Sequence, residues 1–128
     1  MSQTISGRFS VILNPLESTF EINSFGRMSL NKTFEGPLSG LSVGEMLTAR
    51  TEVESSAGYV AIERFEGELN GKKGSFVLQH FGVMHDGKNK LILEIIPNSG
   101  QGELSGISGK MDISRDGSTH LYTLEYEL

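Results

Sequence analysis

The sequence predicts an all-β domain, an eight-stranded antiparallel up-and-down barrel, and three observations predict it. Sixteen glycines and only three prolines separate many short apolar alternations. No window of helical length places apolar residues at i, i+3, i+4 and i+7. Turn signals recur at hairpin spacing: Gly36-Pro37, Ser55 to Gly58, Asn70-Gly71, Asp86-Gly87, Asn98 to Gly100 and Asp116-Gly117. Asn-Gly and Asp-Gly between apolar alternations are strong hairpin signals, because both central residues of a type I′ turn need positive φ.

These turns delimit the strands in chain order. The first is expected at 4–13, before Pro15 and a mixed pattern mark 14–26 as a loop or short excursion able to cover one barrel end. The second, 27–36, runs into Gly36-Pro37, and the third follows at 38–53. Asn70-Gly71 joins 59–69 to 74–84, and Asp86-Gly87 leads into 89–97. The last pair is 103–114 and 118–127, joined at Asp116-Gly117. Strands of this length linked by short turns form a meander, and closing it removes the exposed edges. With 128 residues and no linker or low-complexity segment, one domain spanning 1–128 is expected.

Composition narrows the function classes. Hydrophobic residues make up 37% and charged residues 21%, which fits a folded globular chain. The net charge is −5, and the eleven Lys and Arg are scattered, with Lys72-Lys73 the only adjacent pair. Nucleic acid and anionic membrane both demand a basic patch, so neither partner is expected. Cysteine is absent, which excludes a disulfide framework, a thiolate nucleophile and a thiolate metal site. The apolar run Phe9 to Leu13, broken by Ser10, is too short for a secretory or membrane-spanning segment, so a cytoplasmic location is expected.

Turn parity sorts side chains between the two faces, since neighbours along a strand point to opposite sides. An even turn at Asn70-Gly71 puts Tyr59, Ala61, Glu63, Phe65, Gly67 and Leu69 on one face with Phe76, Leu78, His80 and Gly82. This set gathers the aromatic and small residues and is expected inside. Leu91, Leu93 and Ile95 join it, as do Ile107, Gly109, Met111, Ile113, Tyr122, Leu124 and Tyr126. A turn at 55–58 would place Arg50 opposite Glu63, Thr48 opposite Phe65 and Met46 opposite Gly67. Outside, Val60, Ile62, Val77, Phe81, Val83, Ile92 and Ile96 would form a contiguous apolar patch. Such a patch demands cover, by the 14–26 excursion or by a second subunit; a homo-oligomer through the outer face of strands four to six is expected.

Candidate chemistry centres on three inward polar residues. Glu63 and His80 are the catalytic candidates, as base or acceptor and as proton donor or acceptor, and Arg50 would hold an anionic ligand head or set the charge of Glu63. The competing reading is that the three satisfy one another for the fold alone, since a buried carboxylate needs a partner whether or not it reacts. Tyr59, Tyr122 and Tyr126 would line a pocket and offer hydroxyls to the polar end of a ligand held among Phe65, Phe76, Leu93, Tyr59 and Tyr126, or would be core residues bonded to the backbone. His85 and His120 flank turns, and no cluster has metal-ligand spacing, so neither a metal nor a cofactor is expected. The glycine-rich run 100–109 has no Lys-Ser/Thr and opens no helix, so it is not a phosphate loop. No Gly-x-Ser-x-Gly precedes a helix, which leaves no nucleophile elbow.

The run NSGQGELSGISGKM, after KLILEIIP, resembles the glycine-rich strand pair of allene oxide cyclase and dirigent-type barrels. With GYVAIERFEG, GSFVLQH and the closing YTLEYEL, the chain from about Phe34 onward resembles a bacterial family of small allene-oxide-cyclase-like barrels with no assigned activity. The chain is shorter than the cyclases, and its turn reads Pro97-Asn98-Ser99-Gly100-Gln101-Gly102. The resemblance implies the barrel and an apolar interior site, but no cyclase reaction. Three readings stay open: a binder of a small, mainly apolar ligand, an isomerase or cyclase moving a proton with Glu63 and His80, and a filled structural barrel.

Overall fold

In a computed structural model, residues 2–128 are described. Nine strands occur among them: β1 (Gln3–Pro15), β2 (Phe25–Glu35), β3 (Leu38–Arg50), β4 (Ala57–Leu69), β5 (Lys72–His85), β6 (Lys88–Ile95), the two-residue β7 (Gln101–Gly102), β8 (Ser108–Asp116) and β9 (Thr119–Glu127). Each long strand pairs antiparallel with its sequence neighbour, β6 pairs with β8, and β9 returns to β1. The eight long strands therefore close an up-and-down barrel, and β7 adds a short flange on β5 at Gly74 and Ser75.

The turns that fix register behave as their residues require. Asn70 and Gly71 both have positive φ (49° and 84°), and so do Asp86 and Gly87 (50° and 74°), the signature of two-residue type I′ hairpins. The even turn at Asn70-Gly71 pairs Leu69 with Lys72 and Phe65 with Phe76, as the parity argument expects. Across β8 and β9, Met111 faces Leu124 and Gly109 faces Tyr126, again as expected.

Two strand assignments need correction. The stretch 103–114 is not one strand: after Gly102, with φ 68°, the chain turns through 103–107 and resumes as β8 at Ser108. Successive backbone bonds hold this turn, from Leu104 N to Gln101 O (3.2 Å), Ser105 N to Gly102 O (3.3 Å) and Ile107 N to Leu104 O (3.1 Å). The third strand stops at Arg50 rather than residue 53, because the Thr51 side chain closes a turn on Val53. The connection to β4 is thus Thr51 to Ser56, longer and earlier than a turn at 55–58. The pairing slides by six residues while parity survives: Arg50 faces Ala57, Thr48 faces Tyr59, Met46 faces Ala61, Ser42 faces Phe65, and Gly44 faces Glu63.

The interior is filled at one end only. Phe9, Phe34, Phe65, Phe76, Tyr122 and Tyr126 pack with Leu38, Leu69, Leu78, Leu104 and Leu124 into a single core. Phe65 lies 5.0 Å from Phe76 and 5.8 Å from Phe34 between ring centroids, and Tyr122 meets Phe34 edge-on at 5.5 Å. The Tyr122 hydroxyl donates toward the carbonyls of Glu35 and Leu38 (both 3.1 Å) and accepts from Leu38 N (3.0 Å), tying the β2–β3 turn to β9. Toward the opposite end, Met28, Met46, Tyr59, Leu91 and Ile113 are only partly buried. There the excursion of residues 16–24 leans over the barrel mouth, with Phe20 set edge-on against Phe25 at 6.4 Å.

The excursion leaves the outer patch open. Val60, Ile62, Phe81, Val83 and Ile92 remain 37–49% exposed. Because Phe65 is fully buried between two aromatic rings, Phe65→Ala is expected to cost about 3–5 kcal/mol, through lost burial and the cavity left behind. Urea denaturation monitored by far-UV circular dichroism measures this; a loss below about 1 kcal/mol would contradict tight packing at this end.

Candidate functional site

Between the packed half and the open half sits a ring of polar side chains that strand alternation turns inward. On β4, Glu63 lies between Ala61 and Phe65 on the inner face and is fully buried. On β2, Lys32 lies between Leu30 and Phe34 on the same face and is 4% exposed. Ser42 on β3 and His80 on β5 complete the ring, both buried. Lys32 Nζ donates to Glu63 Oε2 at 2.8 Å, Ser42 Oγ donates to Oε1 at 2.7 Å, and His80 Nε2 makes a short hydrogen bond to Oε2. Lys32 Nζ also lies 5.0 Å from the Phe9 ring centre and 5.8 Å from that of Phe34, so aromatic faces share in stabilising its charge. No buried side-chain polar atom lacks a partner among the described residues.

Burial is the largest single influence on Glu63 and would raise its pKa. The His80 hydrogen bond, the Lys32 charge, the His80 charge and the Lys32 hydrogen bond together outweigh it and hold the carboxyl at about 2, below its ordinary 4.5. An ionised carboxylate only accepts hydrogen bonds, so His80 must carry its proton on Nε2. On the other side of the imidazole ring, the Tyr59 hydroxyl lies 3.2 Å from His80 Nδ1. Burial, and secondarily the Glu63 charge, push the Tyr59 hydroxyl above its ordinary pKa of 10.0, so it stays protonated beside His80. A hydrogen-bond chain therefore runs Tyr59–His80–Glu63–Lys32. Gly82 makes room for it, since a Cβ there would overlap the Tyr59 ring.

Tyr59 is the member of this chain that borders open space. Above it lies a cavity of about 860 Å³, walled by Met28, Met46, Thr48, Tyr59, Leu91 and Ile113 and opening past Leu16, Arg50 and Lys90. Its walls are mainly apolar, and Pro15 at the end of β1 with Leu16 and Ser18 of the excursion lines one side.

Of the residues expected to form a site, Glu63 and His80 meet as anticipated, but Arg50 does not join them. The six-residue slide carries it to the exposed mouth, and Lys32 and Ser42 take its place beside Glu63. Arg50 and Tyr59 line the cavity. Phe65, Phe76, Leu93 and Tyr126 do not: all four are buried in the filled core, where the Tyr126 hydroxyl accepts from Asn70 at 2.9 Å and pairs with Gln3. Lys32 was legible in principle, because alternation from Leu30 to Phe34 points it inward. No three His, Cys, Asp or Glu side chains among the described residues converge on a common metal position.

The family model described as a protein of unknown function, DUF3224, matches residues 5–126. The crystal structure of a protein with unknown function from the DUF3224 family of Shewanella oneidensis MR-1 is similar throughout. The two share 47% identity over 100% of this chain and 98% of that one, with a TM-score of 0.96. No curated protein matches. The chain belongs to the DUF3224 family.

Glu63 also sets a pH dependence. Its folded pKa lies below its unfolded value, so its stabilising contribution is complete above about pH 4.5 and is lost as pH falls through about 2. Glu63→Gln leaves Lys32 buried without a counter-charge and is expected to cost about 3–5 kcal/mol at pH 7. The gap to wild type should close between pH 5 and pH 2. Urea denaturation across that range measures it, and parallel stability curves would contradict the assignment.

Proposed function

We propose that this barrel binds a small, mainly apolar molecule in the open half of its interior. The single observation that carries the reading is the cavity of about 860 Å³, apolar-walled and open to solvent, bordered at depth by one anchored hydroxyl. Pockets of roughly 300–1,000 Å³ with few polar groups are typical of small-molecule sites. Kinship with allene-oxide-cyclase-like barrels belongs to the same proposal and is supported by the shared barrel plan.

Binding is favoured over proton-transfer catalysis on electrostatic grounds. A carboxyl held at about 2 is a weak base, and a tyrosine whose pKa is raised above 10.0 is a weak acid. Neither Glu63 nor His80 borders the cavity, so they act as positioning residues for Tyr59. A neutral fluorescent probe, N-phenyl-1-naphthylamine, tests the reading. Saturable uptake by wild type is expected, weakened at least about tenfold by Met46→Trp, which fills the cavity. Failure of wild type to take up the probe, or undiminished uptake by a folded Met46→Trp, would overturn it.

A further inference from the structure

The charge around the cavity identifies a ligand class, an inference that rests on the interior-binding reading. The chain carries 16 acidic residues and a net charge of −5, yet no Asp or Glu lines the cavity, whereas Arg27, Arg50 and Lys90 do. Arg27 is occupied: its Nε and Nη2 each lie 2.8 Å from Glu45 Oε1, and Nη1 donates to the Glu17 carbonyl at 3.1 Å. Arg50 and Lys90 form no ion pair among the described residues. Arg50 sits at the end of β3 on the inward-facing register, above Thr48, whereas Lys90 on β6 shares the outward register of Val83 and borders the cavity from its rim. Two free cations at the rim of an apolar cavity, in an otherwise acidic protein, concentrate positive potential at its mouth.

We infer that the cavity takes amphipathic carboxylic acids, with the apolar body among Met28, Met46 and Leu91 and the carboxylate at the rim beside Arg50 and Lys90. The guanidinium offers two parallel donors to a carboxylate, and the exposed rim keeps the anionic head partly hydrated, so its charge need not be buried. The test compares octanoate with octanol as displacers of N-phenyl-1-naphthylamine at pH 7. Octanoate is expected to bind about tenfold more tightly at low salt, an advantage that 0.5 M salt reduces and Arg50→Ala/Lys90→Ala abolishes without weakening octanol. Equal binding of the two, or a preference for octanoate that survives in the double variant, overturns the inference while octanol binding upholds the cavity. Displacement by neither overturns the cavity reading itself.

A separate observation carries a second proposal. On the outer surface, register aligns Leu47, Val60, Phe81 and Ile92 in one uninterrupted row across β3 to β6, all 41–54% exposed. Val43 and Ile62 extend it at 57% and 48% exposure. We propose that this face seats a second copy of the chain. The six side chains expose roughly 500 Å², against about 800 Å² per partner in a standard interface, which is close to the apolar share of about 65% in homodimers. A closed barrel offers no free strand edge, so association through this face would bring the same patch of both copies together about a two-fold axis. Sedimentation velocity is expected to find a dimer, converted to monomer by Phe81→Lys with an unchanged circular dichroism spectrum. A monomeric wild type at 100 µM, or a dimer undisturbed by Phe81→Lys together with Val60→Lys, overturns it.

Discussion

The buried carboxylate of Glu63 is the constraint on which the interior depends. A charge with no access to water must be neutralised and hydrogen-bonded on the spot, or its burial costs several kcal/mol. Four strands answer that demand: β2 sends Lys32, β3 sends Ser42, β5 sends His80, and β4 carries Glu63 itself. Because the partners come from separate strands, the ring fixes register across half the barrel as well as holding a charge. A slip of one residue in any of these strands would turn a partner outward and leave Glu63 exposed to the full penalty.

The ring also divides the barrel. On one side aromatic side chains fill the interior, closed by Tyr122 bonding across the β2–β3 turn. On the other side the inner positions include Gly26, Met28, Met46, Thr48, Tyr59, Gly82, Leu91 and Ile113, which leave the lumen open. An eight-stranded barrel is at the size where side chains either just fill the interior or leave room for one small ligand. This chain does one at each end. The polar ring therefore lies beneath the open space and reaches it only through the Tyr59 hydroxyl.

What could be read from the sequence follows from what each signal physically constrains. Asn70-Gly71 and Asp86-Gly87 impose positive φ at fixed positions, so hairpin register and the inward set on β4, β5 and β6 were legible. Residues 51–56 carry no such dipeptide; a Thr51 side-chain turn sets that connection. Parity was recoverable there but register was not, and Arg50 was placed beside Glu63 when Gly44 faces it. The need of Glu63 for a cation was legible from electrostatics alone. Which cation met it depended on long-range closure, since Lys32 is 31 residues away in sequence. The extent of filling was likewise hidden: Phe65 and Phe76 share a face with Tyr59, and only their height along the barrel separates packed core from cavity wall.

That separation bears on how the fold can be used. Residues that hold the Glu63 ring are tied to stability, so substitution there is felt by the whole barrel. Residues at the mouth, including Arg50, Lys90 and the 16–24 excursion, lie outside the buried core. The ring then acts as a floor that fixes Tyr59, and on the proposed binding reading the mouth would decide what enters. On that reading, a contact positioned on packed strands with selection left to surface residues would satisfy two demands at once: the hydroxyl is held in place, and specificity can change without unmaking the buried ion pair.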